Sequence, residues 1–162
     1  MNLPSLAFAV SALLAAGSAT AAGGPLDLST GSAGFSSTPP AGGFVELFTF
    51  TLPTASFASG SITSAVNGQQ DIDFSYIALV GPGGVFSFSQ VLADPFETWA
   101  LNNALLAAGN YTLTVIGTNS AAIASYAGNL AVTVVPEPEK YALLLAGLIT
   151  IGFAARRRNR RQ

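Results

Sequence analysis

Between Gly43 and Leu52 the chain reads GFVELFTFTL, an unbroken two-residue alternation. On an extended strand Phe44, Glu46, Phe48, Phe50 and Leu52 share one face, and Val45, Leu47, Thr49 and Thr51 share the other. The aromatic face is expected to point inward. Ser61–Val66 (SITSAV) predicts a second, shorter strand ending at an Asn67-Gly68 turn. Asp73–Val80 (DFSYIALV) sets Phe74, Tyr76, Ala78 and Val80 opposite Ser75, Ile77 and Leu79. Gly81-Pro82-Gly83-Gly84 breaks that run, and Val85–Leu92 (VFSFSQVL) returns as the second arm of a hairpin. Phe96–Leu101, Tyr111–Gly117 and Asn129–Val135 complete the set, while Leu101–Ala108 (LNNALLAA) predicts a turn or two of helix. Ala22–Gly42, rich in Gly, Ser and Pro, reads as an irregular lead-in able to add an edge strand. About seven short strands between Gly, Pro, Asn and Ser turns predict an all-β fold, a single antiparallel β-sandwich of jelly-roll or immunoglobulin-like topology.

The ends of the chain follow other patterns. Leu3–Ala16 is apolar, and Ala19-Thr20-Ala21 supplies small residues around a cleavage point, so positions 1–21 read as a signal peptide. Met1-Asn2 brings no Lys or Arg to its start. At the other end Pro136-Glu137-Pro138 is a stiff, extended tripeptide. Tyr141–Ala155 is an apolar run without a charge, and Arg156, Arg157, Arg158, Arg160 and Arg161 close it. An apolar helix ending in arginines predicts a transmembrane segment over 141–155 with a basic stop signal on the cytoplasmic side. Its 15 residues cover roughly 22 Å at ~1.5 Å per residue, short of a hydrocarbon core of ~30 Å. A marginal span suits a segment that is held briefly and then removed. Positions 22–135 remain for one domain with its own core.

Charge changes the picture more than length does. All 6 Lys and Arg residues lie at Lys140 or later, so the domain contains no cationic side chain. It keeps Asp27, Glu46, Asp71, Asp73, Asp94 and Glu97. Nucleic acid and anionic lipid need cationic partners, which excludes both for this domain. The chain also has no Cys and no His. Disulfides, thiol and imidazole nucleophiles, His general bases and His/Cys metal ligands are therefore absent, and Ser-Lys dyads and arginine clamps go with the missing cations. Few reaction types survive, and the expectation is a non-enzymatic domain without a cofactor.

The remaining chemistry lies in carboxylates and aromatics. Glu46 sits between Phe44 and Phe48 on the face to be buried, with no cation in the domain to pair with it. It must reach water, accept backbone N–H groups, be protonated or bind a metal. An edge position with a solvated or backbone-capping carboxylate is the expectation. The sharper alternative joins Glu46 to Asp71 and Asp73 as a Ca²⁺ site of hard oxygen ligands. Asp71-Ile72-Asp73 places both carboxylates on one strand face, where a solubilising pair at a strand end is expected. Asp73 with Glu97 or Asp94 could serve a small glycoside hydrolase, but no cleft is marked. Trp99, Tyr76, Tyr111 and Tyr126 are read as core or sheet-face residues, with sugar stacking as the alternative.

Two family resemblances follow from these residues. The order Pro136-Glu137-Pro138, apolar helix, arginine tail resembles the PEP-CTERM sorting signal of Gram-negative bacteria. The resemblance implies transient anchoring in the inner membrane, processing near the motif by an exosortase, and delivery to the cell surface or extracellular matrix. Phe44-Val45-Glu46-Leu47-Phe48 is similar to the signature of the FxDxF family of PEP-CTERM proteins, with Glu46 where that pattern has Asp. Ala108–Thr114 and Tyr126–Leu130 resemble that family's closing segments. The family implies a non-enzymatic protein associated with exopolysaccharide and biofilm. A carbohydrate-binding module, with Ca²⁺-linked carboxylates and exposed aromatics, is the alternative.

Overall fold

The alternation becomes strands. The computed structural model describes positions 23–159 except Asn67, Gln69 and Glu137. Its strands are β1 (Ser32–Ser37), β2 (Gly42–Leu52), β3 (Ser56–Ser64), β4 (Ile72–Gly81), β5 (Gly84–Ser87), β6 (Ser89–Leu92), β7 (Thr98–Leu106), β8 (Gly109–Asn119) and β9 (Tyr126–Val134), followed by helix α1 (Pro138–Asn159). They form one sheet of order β1-β9-β3-β7-β6 and a second of order β2-β8-β4-β5. Every pairing between these strands is antiparallel. The chain is therefore an all-β sandwich, as its sequence predicts. Strands β1 to β4 alternate between the sheets, which is not the immunoglobulin order, where the first two strands pair in one sheet. The order follows the jelly-roll pattern.

Strand β2 keeps the face read from its sequence: Phe44, Glu46, Phe48, Phe50 and Leu52 are all buried. Strand β4 departs from it. A bulge between Phe74 and Tyr76 shifts its register against β8, so the inward set changes from Ile72 and Phe74 to Ile77 and Leu79. One inserted residue reverses every later side chain, and strict alternation cannot anticipate that. Val80, expected to share a face with the buried Phe74, is exposed.

The expected return arm Val85–Leu92 divides in two. β5 pairs with β4, but β6 crosses to the other sheet and pairs with β7. The switch is Phe88, whose side chain is buried and whose N–H donates to Ile77 O at 2.9 Å. The helical turn expected over 101–108 is instead the second half of β7, paired with β3 from Leu106 to Thr98. Asn103 there has φ 49°, a left-handed conformation Asn tolerates, beside a bulge at Ala58/Gly60. Pairing along β3 and burial of Leu101 and Leu106 override the helical propensity of Ala and Leu. The lead-in does supply the edge strand β1. Its start also covers the free edge of β2: Leu26 N–H donates to Thr49 O at 2.8 Å, and Thr49 N–H to Gly24 O at 3.0 Å. An edge paired this way is closed to other chains.

Two strand glycines leave room for the core aromatics. Phe44 lies opposite Gly117 and Phe35 opposite Gly128. A Cβ on Gly117 would stand 2.5 Å from Asp73 O and 3.0 Å from Phe44 Cζ. On Gly128 it would meet Phe35 Cζ at 2.6 Å and Ser61 O at 2.7 Å. Each ring thus lies over a bare backbone, an aromatic covering of a strand glycine.

Beyond Val134 the chain passes Pro136 into α1, where Leu143, Leu148 and Ile151 are 73%, 58% and 67% exposed. The expected transmembrane segment requires correction. A helix forms over 141–155, but among the described residues no helix is long and apolar enough to cross a membrane. The charge-free run is bounded by Lys140 and Arg156, and its length falls short of the hydrocarbon core. The signal peptide expected at 1–21 lies outside the described residues.

Gly117→Ala and Gly128→Ala test this packing. Each is expected to lower stability by about 1–3 kcal/mol, the usual cost of overpacking a filled core. Urea unfolding reads the loss, and an unchanged midpoint for both variants would contradict the close approach described here.

Candidate functional site

Glu46 is fully buried on β2, an edge strand of its sheet. Its partners come from the opposite sheet. Ser37 Oγ–H, at the end of β1, donates to Oε1, and the Tyr126 hydroxyl, at the start of β9, donates to Oε2. Ser37 and Tyr126 are themselves cross-strand partners. One carboxylate therefore clasps the two sheets. The Tyr126 ring packs against Phe44 at 6.1 Å and, edge-on, against Phe74 at 5.4 Å. Burial pushes the Glu46 carboxyl above its usual range, with the Ser37 hydrogen bond pulling the other way. The expected solvated or backbone-capping position is overturned. Two side-chain hydroxyls satisfy the group, and their signal was a hydroxyl residue at Ser37 and at Tyr126, far apart in sequence.

Glu97 is the second buried carboxylate and is held differently. Its Oε2 accepts the Phe74 backbone N–H at 3.0 Å. Its Oε1 accepts the Gln90 amide at 2.9 Å and the Trp99 indole N–H at 2.8 Å. Three elements, β4, β6 and β7, are tied by one side chain just before β7. Trp99 is half-buried against the core with its N–H committed, and Tyr111 and Tyr126 are buried, so these three are structural rather than exposed stacking platforms. Tyr76 is half-buried.

The carboxylates of the suggested Ca²⁺ set do not assemble as expected. Glu46 points into the core, whereas Asp73 lies exposed on the opposite face of the same sheet. Asp94 joins instead: one oxygen from each of Asp71, Asp73 and Asp94 lies within 4.8 Å of the others. Asp71 Oδ1 is enclosed and makes no hydrogen bond. Burial, then the charges of Asp73 and Asp94, push the Asp71 carboxyl up. Three oxygens are an incomplete shell for Ca²⁺, which takes roughly six to eight. Glu97, buried in its own hydrogen bonds, stands apart from any Asp73 acid/base pair.

Grooves open on the sandwich among the described residues. A cavity of about 840 Å³ runs beside β2 under the lead-in, with Leu26, Leu28, Phe50, Leu52, Val132 and Val134 in its wall. A second, of about 690 Å³, lies where β1, β9 and β3 meet, over the Glu46 clasp. Seven of its nine lining residues carry hydroxyls and none carries a charge. Of the sorting residues, Pro136 follows β9, Pro138 opens α1, and Arg156 is exposed on it. Arg157 and Arg158 continue α1, while Glu137, Arg160 and Arg161 lie outside the described residues.

No protein-family model and no curated protein matches the chain. Among solved structures, the pre-peptidase C-terminal domain of collagenase from Bacillus anthracis is similar over 72% of this chain and 96% of its own, at 12% identity and TM-score 0.38. PliG from Aeromonas hydrophila, a periplasmic inhibitor of g-type lysozyme, matches over 71% of this chain and 100% of its own, at 16% identity and TM-score 0.36. A CBM35 module from Cellvibrio japonicus matches over 59% of this chain and 70% of its own, at 16% identity and TM-score 0.34. Likenesses this slight carry no argument about ligand or activity.

The two buried carboxylates predict opposite responses to the same substitution. A hydroxyl can reverse and accept from an amide, whereas an N–H cannot. Glu46→Gln is therefore expected to keep both contacts while removing a buried charge. Because the Glu46 carboxyl is raised in the folded state, the stability it contributes is fully present below its unfolded value and is lost as pH rises through the folded one. Glu46→Gln should accordingly equal or exceed the parent's melting temperature at pH 8 and lose that advantage towards pH 4. Glu97→Gln, which sets an amide against an N–H donor, should cost about 1–3 kcal/mol at pH 8. Thermal melts across pH decide both, and equal destabilisation by the two variants at pH 8 would refute the distinction.

Proposed function

We propose that the chain is an exported, non-enzymatic protein of the cell surface or extracellular matrix, delivered by an exosortase-type system and associated with exopolysaccharide. The observation that carries this is the division of the chain at Val134. Up to that point the two fully buried carboxylates, Glu46 and Glu97, are satisfied within the sandwich, and neither lines the two grooves described above. Beyond it Pro136 and Pro138 lead to a helix whose described apolar side chains stand open to solvent. A chemically quiet domain followed by a separate tail supports an address rather than an active site. The resemblance of that tail to a PEP-CTERM signal names the address. The domain's lack of cations fits a neighbourhood of neutral polymers better than one of nucleic acid or anionic lipid.

Intact-mass spectrometry of the protein recovered from its host tests this. The expected species starts at Ala22 or Gly23, ends near Pro136 to Pro138, and is found at the surface or in the medium. A chain keeping Tyr141–Gln162 and confined to the inner membrane would sink the proposal.

A further inference from the structure

We infer that the hydroxyl-lined groove at the β1/β9/β3 junction binds an uncharged polysaccharide, with the Glu46 carboxylate setting the orientation of its fixed hydroxyls. This deepens the matrix reading above and rests on it for the supply of polymer.

The hydroxyls of the groove divide into two kinds. Ser37 and Tyr126 donate their only hydroxyl hydrogens inward to Glu46, so towards a ligand they can only accept. Ser64 donates to Ile72 O at 2.9 Å, and Thr63 Oγ1 shares a hydrogen bond with Thr98 Oγ1 at 3.1 Å, so these two are likewise committed. Ser36, Thr38 and Ser125 are exposed and make no side-chain hydrogen bond among the described residues. They can donate or accept. Ala65 and Ala127 place small apolar pads between them. Fixed acceptors, adaptable hydroxyls and apolar pads match the O–H edges and C–H faces of a saccharide ring.

Charge narrows the class. No cation lines the groove, and the Glu46 carboxylate lies enclosed behind it. A uronate or sulfated sugar would meet like charge with nothing to pair, whereas a neutral sugar pays no such cost. The register continues the site beyond one ring. Ser36, Ala127, Thr63 and Thr98 align across four strands, and Asn129 and Ser61 form the next row, with Ser61 Oγ donating to Asn129 Oδ1 at 2.8 Å. A cavity of about 690 Å³ lies within the usual range for small-molecule sites, roughly 300–1,000 Å³.

The test uses the full chain in a zwitterionic detergent without a sugar headgroup. Cellohexaose, mannohexaose and maltohexaose are the neutral probes, and hexagalacturonate is the acidic one. Amide shifts in NMR are expected at 36–38, 63–65 and 125–127 with at least one neutral hexaose. Combined Thr38→Val and Ser125→Ala, which remove two solvent-facing hydroxyls, should weaken binding roughly tenfold, the loss of two uncharged hydrogen bonds, with the rest of the spectrum unchanged. The inference is overturned if none of the neutral hexaoses binds at millimolar concentration. It is equally overturned if shifts map elsewhere, if hexagalacturonate binds more tightly, or if the shifts track protein concentration alone, which would mark self-association. Failure here with the processed domain still found at the surface leaves the export reading standing, and the reverse holds as well.

Discussion

A domain without a cationic side chain cannot pair a buried carboxylate with a counter-charge, and here neutral donors surround it instead. Both buried carboxylates obey that constraint, and both are placed where elements must be joined. Glu46 reaches from β2 to Ser37 and Tyr126 on the other sheet, and Glu97 gathers β4, β6 and β7. With no disulfide available, these charge-assisted bonds supply directional restraint across a core that is otherwise apolar. Losing any one donor leaves charge in a dry interior, which is far more costly than the bond itself is worth.

The core's other joints are steric. Phe44 over Gly117 and Phe35 over Gly128 let the aromatic rings lie against backbone instead of side chain. Phe44 then stacks on Tyr126, whose hydroxyl holds Glu46. Glycine, aromatic ring, tyrosine and carboxylate form one continuous contact, so packing fixes the hydroxyl and the hydroxyl fixes the charge.

Much of the sandwich was legible because β2 alternates without a break and turn residues separate the other runs. What escaped was non-local. The bulge at Phe74/Tyr76 reverses the faces of β4, and Phe88 carries the chain from one sheet to the other. Neither event has a local signature, since each is decided by what lies across the sheet. Leu101–Ala108 misled in the same way: its helical propensity is real but is outweighed by pairing along β3. Glu46 was recognisable as anomalous from its neighbours alone. Its partners were not, because Tyr126 is 80 positions away and only the fold brings it close. The groove over the clasp was invisible for the same reason, as its serines and threonines come from β1, β3 and the loops beside them and read in sequence as ordinary polar positions.

Charge is segregated along the chain, and distance keeps it so. Arg156, the first arginine of α1, lies roughly 27 Å along the helix from Pro138 at ~1.5 Å per residue, well beyond a Debye length of ~8 Å at physiological salt. At that separation the basic tail does little to offset the acidic domain. Positive charge at the end of a helix also complements the helix dipole, which favours the arginines where they are. The domain thus offers no positive charge to an anionic partner, and its two fully buried carboxylates are spent inside the sandwich.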